Sequence, residues 1–457
     1  MTNGNLHLKT LFAKFTGNPF VDAGMWAICE LAGKPDPEHL AIDDLREARD
    51  KIVDLYLTEG WVRSLYSVFP NSPITNNAVK EKRKKLGEFL DSLLEDIKPL
   101  GPGGSCVACG RRNHRDRLIR TQVPMTGSGA FINYFPSAAE GADYCPACVF
   151  CIQFSPLVTY SCGKMMLLIH SNSENVMRHW VKEPIREMHR QISMRDYAGC
   201  PKGDSKNPRN ALFSIISRIQ EHSEVRWVEE NPTITFYHYT NRNDKPDMNV
   251  YYLPTSVFRF LAYVNRHYRR RDWNEMVKDG FVGVKWEKNP GAEEYVNKKN
   301  EVYDRLLAGR SIVKYFFSAR TRNVYGDWGL LSLYLTEVRG MEKERIDIVK
   351  RVGDEIADLI RQRNDIKRLE KLERSDTYGA LRNQLRIIIK ERIRQGASGP
   401  LFSLDEYVDQ LFPSHDFWRE TLDLLLFRIY ENLHDWLVTN IVDIAEESRE
   451  DTLEVEE

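Results

Sequence analysis

Apolar residues recur at helical intervals along much of the chain, with polar residues filling the positions between. Leu45, Ala48, Ile52, Val53 and Tyr56 form one stripe and predict a helix over 42–58. Val79, Leu86, Phe89, Leu90, Leu93 and Leu94 form another and predict a helix over 76–95. A turn at Gly17-Asn18-Pro19 leads into an apolar helix at 25–31, because Gly and Asn tolerate left-handed backbone and Pro suits a first helical turn. Further helices are expected at 174–194, 211–221 and 256–268. The β-branched and aromatic segments 233–239 and 250–253, joined by polar 240–247, read as a hairpin, and 164–170 as a strand.

The last quarter differs. Ile348, Val352, Ile356, Leu359, Ile366 and Leu369 keep helical spacing from 342 to 372 amid heavy charge, and 378–393 continues with Leu381, Leu385, Ile388 and Ile389. After a break at 396–400 come a short helix at 404–411 and a long one at 417–444, striped by Leu422, Leu425, Leu426, Ile429, Leu433, Trp436 and Leu437. This pattern is that of a helical bundle of about four elements. The fold class expected is α+β, with a mixed N-terminal region and a C-terminal bundle. The domains expected are 1–100 (helical), 101–165 (an insertion with two CxxC pairs, at 106–109 and 145–148, the pattern of a zinc ribbon), 166–335 (mixed α/β, continuing the first) and 341–457 (the bundle with an acidic tail).

At 457 residues the chain exceeds one ordinary core, so two to four domains are expected. No stretch approaches the roughly 18 apolar residues that span a bilayer, and the N-terminus lacks a charged region followed by an apolar one. A cytoplasmic protein without membrane contact is the expectation. The net charge of −1 conceals an asymmetry: residues 442–457 carry −7, and the remainder +6 in short runs. A near-neutral total can therefore hide a surface for polyanions.

Four of the eight cysteines form two pairs, Cys106-Val107-Ala108-Cys109 and Cys145-Pro146-Ala147-Cys148. Each CxxC puts two thiolates on one tight knuckle, and two knuckles complete the tetrahedral four-sulfur set that structural zinc prefers. Cys106, Cys109, Cys145 and Cys148 are thus the expected ligands of a structural Zn²⁺. A closed four-thiolate site has no open coordination position, so the ion should stabilise the fold rather than catalyse. The other cysteines, Cys29, Cys151, Cys162 and Cys200, read as small buried apolar residues, with Cys151 close enough to be a spare ligand. A nucleobase deaminase needs H-x-E upstream, and His114-Arg115-Asp116 does not supply it. A nuclease of the HNH type needs paired histidines between the knuckles, where only His114 and Asn133 are available. The protein is expected not to be an enzyme.

Arg111, Arg112, Arg115, Arg117 and Arg120 lie within ten residues of one another beside the first knuckle, a concentration suited to phosphate. Lys82 and Arg83 belong to a basic run opening the helix at 76–95. Arg269, Arg270 and Arg271 end the helix at 256–268, where Tyr263, Tyr268 and Trp273 interleave with the cations and could stack on bases. A solvated helix face or a basic helix end accounts for either run without a ligand.

The Gly17-Asn18-Pro19-Phe20-Val21-Asp22-Ala23-Gly24 opening, the two CxxC pairs and the all-helical end together resemble one family, the CXXC–CXXC large subunit of type I CRISPR interference complexes (type I-B Cascade). The resemblance runs over nearly the whole chain, though its specific motifs are the opening and the two knuckles. It implies a non-catalytic subunit at the foot of a crRNA-guided complex, beside backbone and crRNA-end subunits. Such a subunit contacts the crRNA 5′ end, recognises the protospacer-adjacent motif in target double-stranded DNA and aids strand separation. A recruited helicase–nuclease then cuts. The resemblance names no base-reading residue. On chemistry, Asn18 or Asn113 is expected to probe a base edge while Arg111, Arg112 and Arg115 hold phosphates, since Asn pairs two-point with adenine whereas phosphate contacts carry no sequence information.

Met341 opens the bundle, and Glu337-Val338 can be encoded GAG-GUN, a ribosome-binding sequence about seven nucleotides before the Met341 codon. Internal translation would yield a 117-residue small subunit, Met341–Glu457. The alternative reading of the whole is a zinc-ribbon DNA-binding protein outside CRISPR, in transcription or repair.

Overall fold

The computed structural model describes residues 11–97, 104–112, 117–127, 141–221, 231–266, 269–318 and 321–453, and only the backbone at 266, 287, 415 and 440–453. It divides into two compact units, Met1–Thr255 with Lys288–Lys299, and Ser256–Glu287 with Asn300–Glu457. The division therefore falls at 255, and the boundary expected near 335–341 lies inside the second unit. The composition changes near 341, but apolar contacts cross that point: Phe316 meets Phe427 edge-on at 6.4 Å, and Trp328 meets it at a tilt at 6.0 Å.

The first unit is built on helix α1 (Pro19–Ala32). It starts six residues earlier than the apolar run suggests, because Asn18 and Pro19 supply a cap and a preset first turn. Helices α2 (Ile42–Leu55), α3 (Glu59–Tyr66) and α4 (Lys82–Glu95) follow. The stripe Leu45, Ala48, Ile52, Val53 and Tyr56 is buried as expected. Helix α4 begins at Lys82 rather than 76, since residues 69–75 form a turn closed by the Thr75 hydroxyl donating to the Phe69 carbonyl at 2.7 Å. Helix α5 (Pro146–Ile152) is buried at every residue and packs on α1 and α4.

Strands β1 (Tyr160–Cys162), β2 (Met165–Ser171), β3 (Ile234–Thr240) and β4 (Asp247–Leu253) form one antiparallel sheet in that order. Leu168 pairs with Tyr237, and Tyr237 with Val250. Helix α6 (Glu174–Met194) and α1 pack against β2, while α7 (Pro208–Glu221) packs on α6. Phe20 of α1 meets Tyr239 of β3 edge-on at 5.1 Å. The one-turn helix α10 (Ala292–Tyr295) closes this unit.

The second unit holds most of α8 (Thr255–Arg266), then α9 (Arg270–Asp279), α11 (Glu301–Leu307), the short hairpin β5 (Phe317–Ser318) with β6 (Asn323–Val324), and α12 (Trp328–Glu337). The expected bundle follows as α13 (Lys343–Arg363), α14 (Ile366–Glu373), α15 (Tyr378–Arg394), a π-helical turn at Glu406–Leu411, and α16 (Trp418–Leu453). Helices α13 and α16 lie along one another, with Val349, Val352, Ile356 and Ile360 buried opposite Leu422, Leu425, Ile429 and Leu433. Among the described residues no helix is long and apolar enough to cross a membrane.

Candidate metal centre and its basic surroundings

Two local structures bring the four cysteines together. The first is a knuckle at 105–112. The Cys106 amide donates to the Arg111 carbonyl at 2.7 Å, and the Gly110 amide returns to the Cys106 carbonyl at 2.9 Å. Gly110 sits at φ +73, a left-handed conformation that lets the chain reverse so tightly. The second is the start of α5: Cys145 is the N-cap, Pro146 the first residue, and Cys148 one turn on. The Val107 amide donates to the Asp143 carbonyl at 2.8 Å and joins the two.

The four sulfur atoms lie within 4.8 Å of one another, and Cys109 and Cys145 approach to 3.5 Å. A tetrahedral zinc–thiolate site, with bonds of about 2.3 Å, has sulfur–sulfur edges of about 3.8 Å. The donor set fits such an ion in number, kind and spacing. Cys106, Cys145 and Cys148 are buried and Cys109 half-buried, beside a cavity of about 190 Å³ lined in part by Phe12, Phe15 and Arg111. Cys151 is not in the group; it is buried on α5, where its carbonyl faces Gly24.

Proximity divides the thiols. Hydrogen bonds from Cys109, Cys145 and Cys148 hold Cys106 far below the usual thiol range. Cys106 opposes ionisation of Cys109, but bonds from Cys145 and Cys148 outweigh it and bring that thiol to about 7. Hydrogen bonding with Cys106 pushes Cys145 and Cys148 up, and burial adds to it. Four sulfurs this close do not all ionise by themselves; a divalent cation makes a complete thiolate set possible and releases the remaining protons.

The Gly17–Gly24 segment supports this centre from the other side. Asp22 is fully buried and accepts from the Thr16 amide (2.7 Å), the Thr16 hydroxyl (2.6 Å), the Gly17 amide (3.0 Å) and His170 Nε2 (2.8 Å). Gly24 lies against the Cys151 backbone, where a Cβ would stand 1.8 Å from the carbonyl oxygen. Asn18 Oδ1 accepts from the Phe20 and Val21 amides, and its Nδ2 donates to the Tyr144 hydroxyl at 3.1 Å. Both ends of the Asn18 amide are thus engaged in holding α1 to the residue before Cys145. Reading a base would require releasing that cap.

The other expected contacts sort by position. Arg111 and Arg112 are exposed on the knuckle, Arg112 opposite Ser105 in a single bridge. Asn113 and Arg115 lie outside the described residues. Arg117 is held by the Gly141 carbonyl at 2.8 Å and by Asp143. Arg120 donates to the Asn241 carbonyl. Lys82 donates to the Ile74 carbonyl at 2.7 Å, and Arg83 pairs with Asp54 at 3.0 Å. Arg269, Arg270 and Arg271 belong to the second unit; Arg269 pairs with Asp327, while Arg270 and Arg271 are exposed on α9. Trp273 is buried against Phe260 at 5.6 Å, so it does not interleave with these cations at the surface.

Sequence reasoning missed Asn241. Its side chain is buried and joins the Val68 and Arg120 carbonyls, at 2.8 Å and 3.0 Å, to the end of β3. Nothing in the polar run 240–247 marks it. Asp22 stands inside the Gly17–Gly24 motif, and its place beside Gly17 and Asn18 is the signal that the sequence offers for its burial.

The geometry defines a four-cysteine centre able to hold a metal ion and carrying an arginine-bearing knuckle. Residues 102–160, which contain all four cysteines, match the family model described as CRISPR-associated protein (Cas_CXXC_CXXC). That match supports a CRISPR-associated role for the chain. No curated protein and no solved structure matches it.

Proposed function

We propose that this protein is the large subunit of a type I-B crRNA-guided Cascade complex and that its four cysteines hold a structural Zn²⁺. In this reading it is non-catalytic. It contacts the crRNA 5′ end, recognises the protospacer-adjacent motif in duplex DNA, aids strand separation, and helps recruit the helicase–nuclease that cuts. Base pairing with the guide reads the target, while protein contacts read a short duplex motif and the backbone. One observation carries the proposal: the matched segment folds into a four-thiol centre whose exposed knuckle presents Arg111 and Arg112.

Zinc bound there makes Cys106, Cys109, Cys145 and Cys148 thiolates and fixes both local structures at once. The knuckle then holds Arg111 and Arg112 on a stiff turn, so little side-chain and loop freedom is lost when they meet phosphates. Replacing both arginines with alanine should weaken binding of the assembled complex to all target sequences alike and lower the slope of log affinity against log salt by up to about 2. Collapse of motif discrimination with an unchanged slope would assign these arginines to base reading instead.

The small subunit made from Met341 belongs to the same proposal. Met341 is buried and its amide donates to the Leu335 carbonyl at 2.9 Å. A product starting there lacks Phe316, Phe317 and Trp328, which cover Phe427 and Tyr430 in the full chain. It therefore needs a neighbour over that face. Mass spectrometry of the expressed gene should find a Met341–Glu457 species, and its absence removes this part.

A further inference from the structure

Helix α15 carries a row of cations that its surroundings leave uncompensated. Arg382, Arg386, Lys390 and Arg394 follow at intervals of four residues. That spacing sets them on one helix face, about 6 Å apart along the axis and about 18 Å end to end. All four are exposed, and among the described residues none makes a hydrogen bond or ion pair. Asn383 is exposed on the same face, and a Cβ added at Gly379 would meet nothing within 4 Å. The opposite face buries Leu381, Leu385 and Ile388.

Nearby cations are treated differently. Arg392, on the same helix, pairs with Glu355 at 2.6 Å, Arg368 with Glu391 at 2.5 Å, and Arg322 with Glu373 at 2.8 Å. A solvated helix face normally mixes signs, since like charges at i,i+4 destabilise a helix. This stripe contains no acid. Its uniform sign counts against a merely solubilising surface and favours a linear polyanion.

We propose that the α15 ridge is a second, sequence-independent contact for the phosphate backbone of nucleic acid, distinct from the knuckle beside the cysteine centre. It rests on the reading of the protein as a nucleic-acid-binding subunit. Guanidinium and ammonium groups bind phosphate oxygens, and Asn383 can add a neutral donor. One strand of B-form duplex offers a phosphate every 3.4 Å or so of axis, so the ridge faces about five. Contacts of this kind carry affinity without sequence preference.

The test uses the full chain with Arg382→Ala, Arg386→Ala, Lys390→Ala and Arg394→Ala combined, which keeps helix propensity high. Binding to a single strand and to a duplex of equal length is measured by fluorescence anisotropy across a salt series, with circular dichroism confirming the fold. The expected result is a slope of log affinity against log salt shallower by about 3, and binding at least tenfold weaker near 0.1 M salt. Loss on the single strand alone, on the duplex alone, or on both supports the ridge and identifies which form of the backbone it takes. A folded variant that binds both probes with wild-type slope and affinity overturns the proposal and leaves the ridge to an acidic protein surface. An R111A/R112A chain is run beside it. If that chain alone binds like wild type, the knuckle reading fails while the ridge is judged by its own slope.

Discussion

Burial sets the chemistry of single residues throughout this chain. In the second unit it raises the Asp423 carboxyl from 3.8 to about 6, although Arg419 lies 3.8 Å away and acts in the opposite direction. A folded-state acid raised in this way is penalised in its charged form. Its contribution to stability is therefore largest below pH 3.8 and is lost as pH rises through about 6. Asp423→Asn should accordingly be more stable than wild type at pH 8, by at most about 3 kcal/mol, since each tenfold change in proton affinity is worth about 1.4 kcal/mol. The gap should close toward pH 4. Denaturant unfolding at several pH values measures it, and a gap that does not vary with pH would contradict the assignment. Asp22 is fully buried, and it accepts four hydrogen bonds from Thr16, Gly17 and His170.

At the scale of elements, the contact between α1 and α5 decides where the second cysteine pair stands. Gly24 makes that contact possible, because any side chain there would occupy the space of the Cys151 carbonyl. Gly24→Ala should destabilise the first unit by about 3 kcal/mol, the upper range for overpacking, and loosen the metal centre with it. Equal stability of variant and wild type by denaturant unfolding would show that α5 does not pack as closely as described. Much of this level was legible in the sequence. The helix at 174–194 has the bounds expected, and the hairpin strands shift by only a few residues. The single pattern from 342 to 372 proves to be two helices, separated at Asn364, whose backbone is left-handed at φ 50. Asparagine is a common but weaker marker of such an ending than glycine, and the apolar spacing runs straight through it. Helix α5 escaped because all seven residues are buried, leaving no polar face to give a period. Among site residues, the cysteines declared themselves by spacing. The engagement of Asn18 did not, because its partner Tyr144 is 126 residues away.

The whole molecule combines a segment that matches a CRISPR-associated family model, a four-thiol centre that fits zinc, and cations on each of its two units. Everything proposed for the knuckle depends on an ion that stiffens it. The direct measurement is metal content of the purified full chain by inductively coupled plasma mass spectrometry, with X-ray absorption at the zinc edge. The expected result is one zinc per chain in a shell of four sulfurs at about 2.3 Å, lost together with the ordered first unit when Cys106 and Cys109 are both replaced by serine. Protein purified without chelators and folded, yet free of zinc or holding it through nitrogen and oxygen, would contradict it.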